Sequence, residues 1–158
     1  MNKQELIEIF QKLGAQNPEE WATNEIEEDI PQLARFLFLK GAWKGVVPDN
    51  ENWIENVMAN YDPNDNGPYS GMMHSLKEML DAGVNKKAIT EFARCIGAEM
   101  IFNISYLLED PSSVKDNEYV SWGLFVTDED GNPIKELNGL HESVLETDPT
   151  GREMCPRE

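Results

Sequence analysis

Basic residues, cysteines and histidines are all scarce in this chain. Thirteen Lys and Arg stand against 30 Asp and Glu, and the formal net charge is −17. Such a surface repels the phosphates of nucleic acid and anionic membranes, which excludes both as partners and leaves basic ones. The two cysteines, Cys95 in an apolar helical stretch and Cys155 in the tail, make no disulfide framework and fit a reducing, cytoplasmic compartment. His74 and His141 are the only histidines, and neither belongs to a paired metal-binding spacing, so no metal and no other cofactor is expected. Long hydrophobic runs are missing too. The longest strongly apolar uncharged run, Met100 to Leu108, is about half what a membrane span requires. The opening MNKQELIEIFQKLG lacks the apolar core of an export signal.

What is present is enough for a core. The 158 residues are 40% hydrophobic and include four tryptophans, which fits one folded domain over 1–158 and not a disordered acidic chain. The pattern predicts an α+β fold, a helical body of about five helices over 1–110 followed by a β segment and tail over 111–158. Leu6, Ile9, Phe10 and Leu13 recur at helical spacing up to Gly14. Asn17-Pro18-Glu19-Glu20 reads as a cap, a first-turn proline and two acids matched to the helix dipole. PQLARFLFLKG follows, crowded with Leu33, Phe36, Leu37 and Leu39 and ended by Gly41. Trp53, Ile54, Val57 and Met58 form the inward face of a helix capped by Asp49 or Asn50. Met72, Met73, Leu76, Met79 and Leu80 read as a core stripe.

The longest helix is expected from Asn85 to about Leu108, with Ile89, Phe92, Ile96, Met100, Asn103 and Leu107 along its inward face. Glu91, Arg94 and Glu99 are the only charges between Ala88 and Leu108, and Arg94 is expected to brace another element through a carboxylate. Lys86 and Lys87 at one end, and Glu109 and Asp110 at the other, oppose the helix dipole. Beyond residue 111 the period becomes two. Val120, Trp122, Leu124 and Val126 alternate, a turn falls at Asp130-Gly131, and Ile134 and Leu137 resume, which predicts an antiparallel hairpin. HESVLET is a candidate third strand.

Three stretches invite chemistry. DPNDNG, Asp62 to Gly67, opens like a calcium loop, but Met73 stands where the bidentate glutamate belongs and Pro68 takes the seventh place, so turns are the better reading. Asp148-Pro149-Thr150-Gly151 is a β-turn signature that leads into Arg152. His141 beside Glu142 has the composition of a base and its orienter, with Arg152 able to pair with Asp148 or Glu142. No activated nucleophile accompanies them.

The segments AITEFARCIGAEMIFNISYLLEDP, WGLFVTDEDGNP and GLHESVLETDPTGREMCP, within residues 83–156, resemble a family of small uncharacterised bacterial proteins that is immunity-protein-like. The resemblance implies that the turn and Arg152 matter to the fold or the site. It assigns no residue a catalytic role. Charge carries the functional expectation further, because an inhibitor of a basic toxin gains speed and affinity by presenting acids to its cleft. The expected partner is therefore a basic protein, a nuclease-type toxin. The expected surface comprises Glu19, Glu20, Trp21, Glu25, Glu27, Glu28 and Asp29 together with Tyr61, Asp62, Asp65 and Tyr69, aromatics serving as anchors among acids. The alternative is a small hydrolase or metal-dependent enzyme centred on His141, Glu142 and Arg152, with Asp148 nearby.

Overall fold

Six α-helices and a two-stranded antiparallel sheet appear in the computed structural model, which describes residues 1–115 and 117–157. Their order is α1 (Lys3–Leu13), α2 (Pro18–Glu27), α3 (Gln32–Trp43), α4 (Asn52–Met58), α5 (Ser70–Asp81), α6 (Lys86–Glu109), β1 (Phe125–Thr127) and β2 (Pro133–Glu136). The fold is α+β with a helical body. The chain gathers into two units, one of Met1–Gly45 with Ala98–Glu158, the other of Val46–Gly97. The change of period at residue 111 falls inside the first unit.

In the first unit the N-terminal helices are locked at their ends. Asn2 accepts from the Glu5 amide while the Glu5 carboxylate accepts from the Asn2 amide, a reciprocal cap. Gly14, at φ +86°, ends α1 in the left-handed region. Leu6 and Phe10 are buried with Trp21, Ala22 and Phe36. The Phe10, Trp21 and Phe36 rings meet at centroid distances of 5.2 to 5.8 Å, two of the three pairs edge to face. The first turn of α3 has no side-chain cap of its own. Glu25 of α2 supplies one, accepting the Leu33 amide at 2.7 Å. α3 runs two residues past Gly41, to Trp43, whose indole donates to the Val144 carbonyl at 3.0 Å. That anchor outweighs the helix-ending tendency of the glycine. Leu37, in the apolar crowd of α3, is exposed.

In the second unit Ile54, Leu76 and Ile89 form the core, with Trp53, Val57, Met58 and Leu80 packed against it. The Trp53 indole donates to the Thr90 hydroxyl at 2.9 Å. Only Leu76 of the expected α5 stripe is fully buried, while Met72 and Met79 are exposed. Arg94, 2% exposed, braces the segment before α4, donating to the Val47 carbonyl at 2.8 Å and lying 3.5 Å from Asp49. The expected role of Arg94 stands.

α6 turns a different face inward from the one its periodicity suggested. Thr90, Arg94, Ala98 and Ser105 are buried, whereas Phe92, at 68%, Ile96, Met100, Asn103 and Leu107 are exposed, and Ile89 alone of the expected face is inside. Both faces recur at helical spacing. Small side chains and a glycine let the chain approach closely on the inner one: a Cβ at Gly97 would stand 3.0 Å from the Val46 side chain. Asn85 caps the helix as expected, accepting the Lys87 amide at 2.7 Å. Lys86, at the unfavourable end of the dipole, pairs with Glu55 at 3.1 Å.

The hairpin pairs Phe125 with Glu136 and Val126 with Lys135, and a bulge follows Val126. Asp128 shapes its turn, accepting amides from Asp130 and Asn132. HESVLET adds no third strand. Leu140 and Val144 are both fully buried four residues apart, a helical period, and the segment forms a 3-10 turn at His141–Ser143 followed by further turns.

Candidate partner-binding cleft

Glu20 of α2, Glu28 at its C-cap and two carboxylates from the C-terminal turns meet at one cleft in the first unit. It is lined by Glu20, Trp21, Asn24, Glu28, Ile30, Gln32, Arg35, Glu142, Ser143 and Glu146 and encloses about 220 Å³. The geometry begins with α2, where Glu20 and Asn24, with Glu28 at the C-cap, recur at steps of four and share a side. α3 contributes Gln32 and Arg35, both buried. The 3-10 turn places Glu142, and Glu146 follows it by one helical step.

Arg35 organises the floor. Its Nη2 donates to the Gly139 carbonyl and, at 3.1 Å, to the Ser143 hydroxyl, and lies 3.6 Å from the Glu142 carboxylate. Burial pulls its pKa below the ordinary arginine value, while Glu142, Glu109 and Glu146 act in the opposite direction. A side chain at position 139 would be strained. Its φ is +68°, and a Cβ there would lie 2.6 Å from Arg35 Nη2.

The walls are acidic and under-supplied with positive charge. Burial first, and then repulsion from Glu20 and Glu153, raises the Glu146 pKa; the Trp21 indole and Arg35 lower it. Gln32 Oε1 is buried without a hydrogen-bond partner among the described residues, as are Arg35 Nε and Trp21 Nε1 at regular geometry. A cationic group entering the cleft would meet carboxylates on several sides.

The other acids of α2 and Asp29 just beyond it already have partners within the fold. Glu25 caps α3, Glu27 lies 3.9 Å from Lys3, and Asp29, at φ +56°, pairs with Lys135. Glu19 is exposed outside the cleft. Trp21 is no free anchor, because its body is 3% exposed in the aromatic core. Tyr61, Asp62, Asp65 and Tyr69 belong to the second unit. There Asp62 and Asp65 accept the amides of Asn64 and Gly67, so the DPNDNG stretch is a pair of Asx turns. Tyr61 packs edge to face on His74, whose Nε2 meets the Asp65 carbonyl at 2.8 Å. Tyr69 is exposed. Glu146 escaped the sequence reading, although its spacing of four from Glu142 was a usable sign.

His141 and Glu142 face different partners, Glu109 and Arg35, and not each other. His141 Nδ1 lies 2.6 Å from Glu109 Oε2, not from Glu142, and its ring packs edge to face against Phe102 and Tyr106. Glu109 also accepts the amides of Leu140 and His141, so the carboxylate that opposes the α6 dipole serves as the cap of the 3-10 turn. Asp148 is buried and accepts from the amides of Thr150 and Met154, and the Gly151 amide closes the turn on the Asp148 carbonyl at 2.9 Å. Arg152 donates to the Cys155 carbonyl. Cys95 and Cys155 are free thiols.

Among the described residues no helix is long and apolar enough to cross a membrane, and no group of His, Cys, Asp and Glu could hold a metal ion. No family model, curated protein or solved structure matches this chain.

Proposed function

We propose that this protein is a non-enzymatic acidic inhibitor, an immunity protein of the cytoplasm that neutralises a basic, nuclease-type toxin by covering its active cleft. The reading rests chiefly on the convergence of Glu20, Glu28, Glu142 and Glu146 at one concavity. A basic side chain of the toxin enters there. It offsets the mutual repulsion of the carboxylates and donates hydrogen bonds to them. The net charge of −17 steers the encounter over distances beyond contact, and so accelerates association most at low salt. Glu19, exposed on α2 beside the cleft residue Glu20, extends the acidic rim.

The test is capture from a nuclease-treated lysate of the source cell in which the toxin is expressed, with stepwise salt elution and mass spectrometry. Wild-type protein retains one stoichiometric basic protein to high salt. The variant with Glu20, Glu28 and Glu142 changed to Lys loses it. Equal retention by both proteins refutes the cleft as the binding site, and retention of nothing specific by wild type refutes the inhibitor reading.

A further inference from the structure

A second hollow adjoins the acidic cleft within the first unit. It encloses about 240 Å³ between the end of α1, α3 and the C-terminal turns. Leu13, Ala15, Phe36 and Pro149 give it an apolar lining, and Leu13 and Ala15 pack against the core cluster that holds Phe36 and Trp21. Glu146 lines both hollows. Trp21 of the cleft and Phe36 of the pocket meet edge to face, with ring centroids 5.2 Å apart. The two spaces are thus neighbours across one carboxylate and one aromatic pair, and that pair is buried core, in place before any partner arrives.

The chemistry of the two differs. Carboxylates gather in the cleft, whereas three polar side chains that line the pocket are engaged within the fold. The Lys40 amine donates to the Leu13 carbonyl. The Thr147 hydroxyl donates to the Ser143 carbonyl at 2.9 Å and accepts from the Trp43 indole at 3.2 Å. The Asp148 carboxylate accepts from the amide and hydroxyl of Thr150 and from the Met154 amide. A guest in this pocket gains little by hydrogen bonding and much by leaving water. Lys40 also disfavours a second cation here. The volume suits one whole side chain of leucine, methionine or phenylalanine, since an apolar cavity of about 150 Å³ holds a benzene-sized guest.

We propose that this pocket takes an apolar side chain of the same basic partner, one adjacent to the cation held in the cleft. The inference rests on the cleft reading and deepens it, because the partner then presents a cation and an apolar group on either side of Glu146. Charge fixes the order. Glu146 is repelled by Glu20 and Glu153 and attracted by Arg35, so the cation belongs on the side of Glu20 and the apolar group on the side of Leu13. Continuity selects the occupant. A separate apolar ligand gains from the pocket alone, whereas the neighbouring side chain of a partner already held by its cation arrives at high effective concentration. Its burial survives the salt that screens the acidic cleft, and so adds specificity that charge does not supply.

NMR titration of the isotope-labelled full chain with capped peptides at low salt, up to roughly 10 mM, tests this. The probes carry Arg and Leu, adjacent or separated by up to about three glycines of roughly 3.3–3.6 Å each, beside peptides with glycine in place of either one. Wild type is expected to bind at least one spacing about tenfold or more tighter than the peptide with Arg alone, the scale of burying a leucine. The amides of Ala15 and Thr147 are expected to move together with those of Glu20 and Glu142. Ala15→Leu, which fills the pocket, is expected to bind the Arg peptide like wild type and to lose the gain. If that variant is unfolded by circular dichroism, Leu13→Ala, which removes a wall, takes its place. Equal affinity for the Arg peptide and every Arg and Leu spacing, with the cleft amides shifting, overturns the pocket and leaves the cleft standing. An Arg peptide that moves no cleft amide overturns the cleft reading, and this proposal with it. A gain that persists in the folded pocket variant puts the leucine elsewhere and also overturns the proposal.

Discussion

Replacing Arg35 with methionine tests whether the floor of the cleft is held by one buried guanidinium. The side chain is only 6% exposed and its Nη2 serves the Gly139 carbonyl and the Ser143 hydroxyl while facing Glu142. Hydrogen bonds from a charged donor contribute about 1.5–3 kcal/mol each. Burying the guanidinium costs several kcal/mol on its own, so methionine, which fills similar volume without the charge, recovers part of the loss. The net is a destabilisation of about 2–3 kcal/mol. With a urea dependence of about 1–3 kcal/mol per molar, the unfolding midpoint falls by about 1–2 M, read by circular dichroism and tryptophan fluorescence. Arg35→Lys keeps a charge but lacks the fork that reaches two acceptors, and is expected to recover less than half of the difference. A loss below about 0.5 kcal/mol, the level of an ordinary surface change, or full rescue by lysine, would refute the reasoning.

Three further outcomes follow from the same geometry. Gly139→Ala forces a left-handed backbone on a residue with a Cβ and pushes it against Arg35, so a loss of at least about 1–3 kcal/mol in urea unfolding is expected. Glu25→Ala removes the cap on Leu33 and is expected to cost about 1 kcal/mol, seen as a drop in melting temperature of about 2–4 °C. Glu146→Gln is expected to stabilise the protein at neutral pH. Burial, then Glu20, raises the folded-state pKa of Glu146, so the stability from its protonated form is full below the ordinary glutamate value and lost as pH rises through the raised one. The variant and wild type should converge below about pH 4, and a gap that persists there would contradict this assignment.

Local signals carried much of the secondary structure and little of the packing. Asn85, Gly14 and the Asp148–Gly151 turn were legible because each acts through its own backbone neighbours. The inward face of α6 was not, since both of its faces repeat at helical spacing and the one that packs carries Thr90, Ala98 and Ser105. Hydrophobic periodicity identifies an apolar stripe without saying what covers it. The acids of α2 pointed to a charged surface, yet composition alone could not separate Glu25, which caps a helix, from Glu20 and Glu28, which line the cleft. The union of His141 with Glu109 spans 32 residues and left no local trace. Glu142, the nearer carboxylate in sequence, points to Arg35 instead.

The central claim is that the cleft, and not the overall acidity, makes the contact. The most direct measurement is calorimetric titration of the purified basic partner against two folded variants that carry the same change in net charge. One has Glu20, Glu28 and Glu142 replaced by Lys; the other has Glu118, Glu129 and Asp130 replaced by Lys, all exposed outside the cleft. A loss of about 100-fold or more for the first, equivalent to about 2.7 kcal/mol, with the second within about threefold of wild type, is the result expected here. Equal losses would mean that net charge alone drives association and would contradict the account.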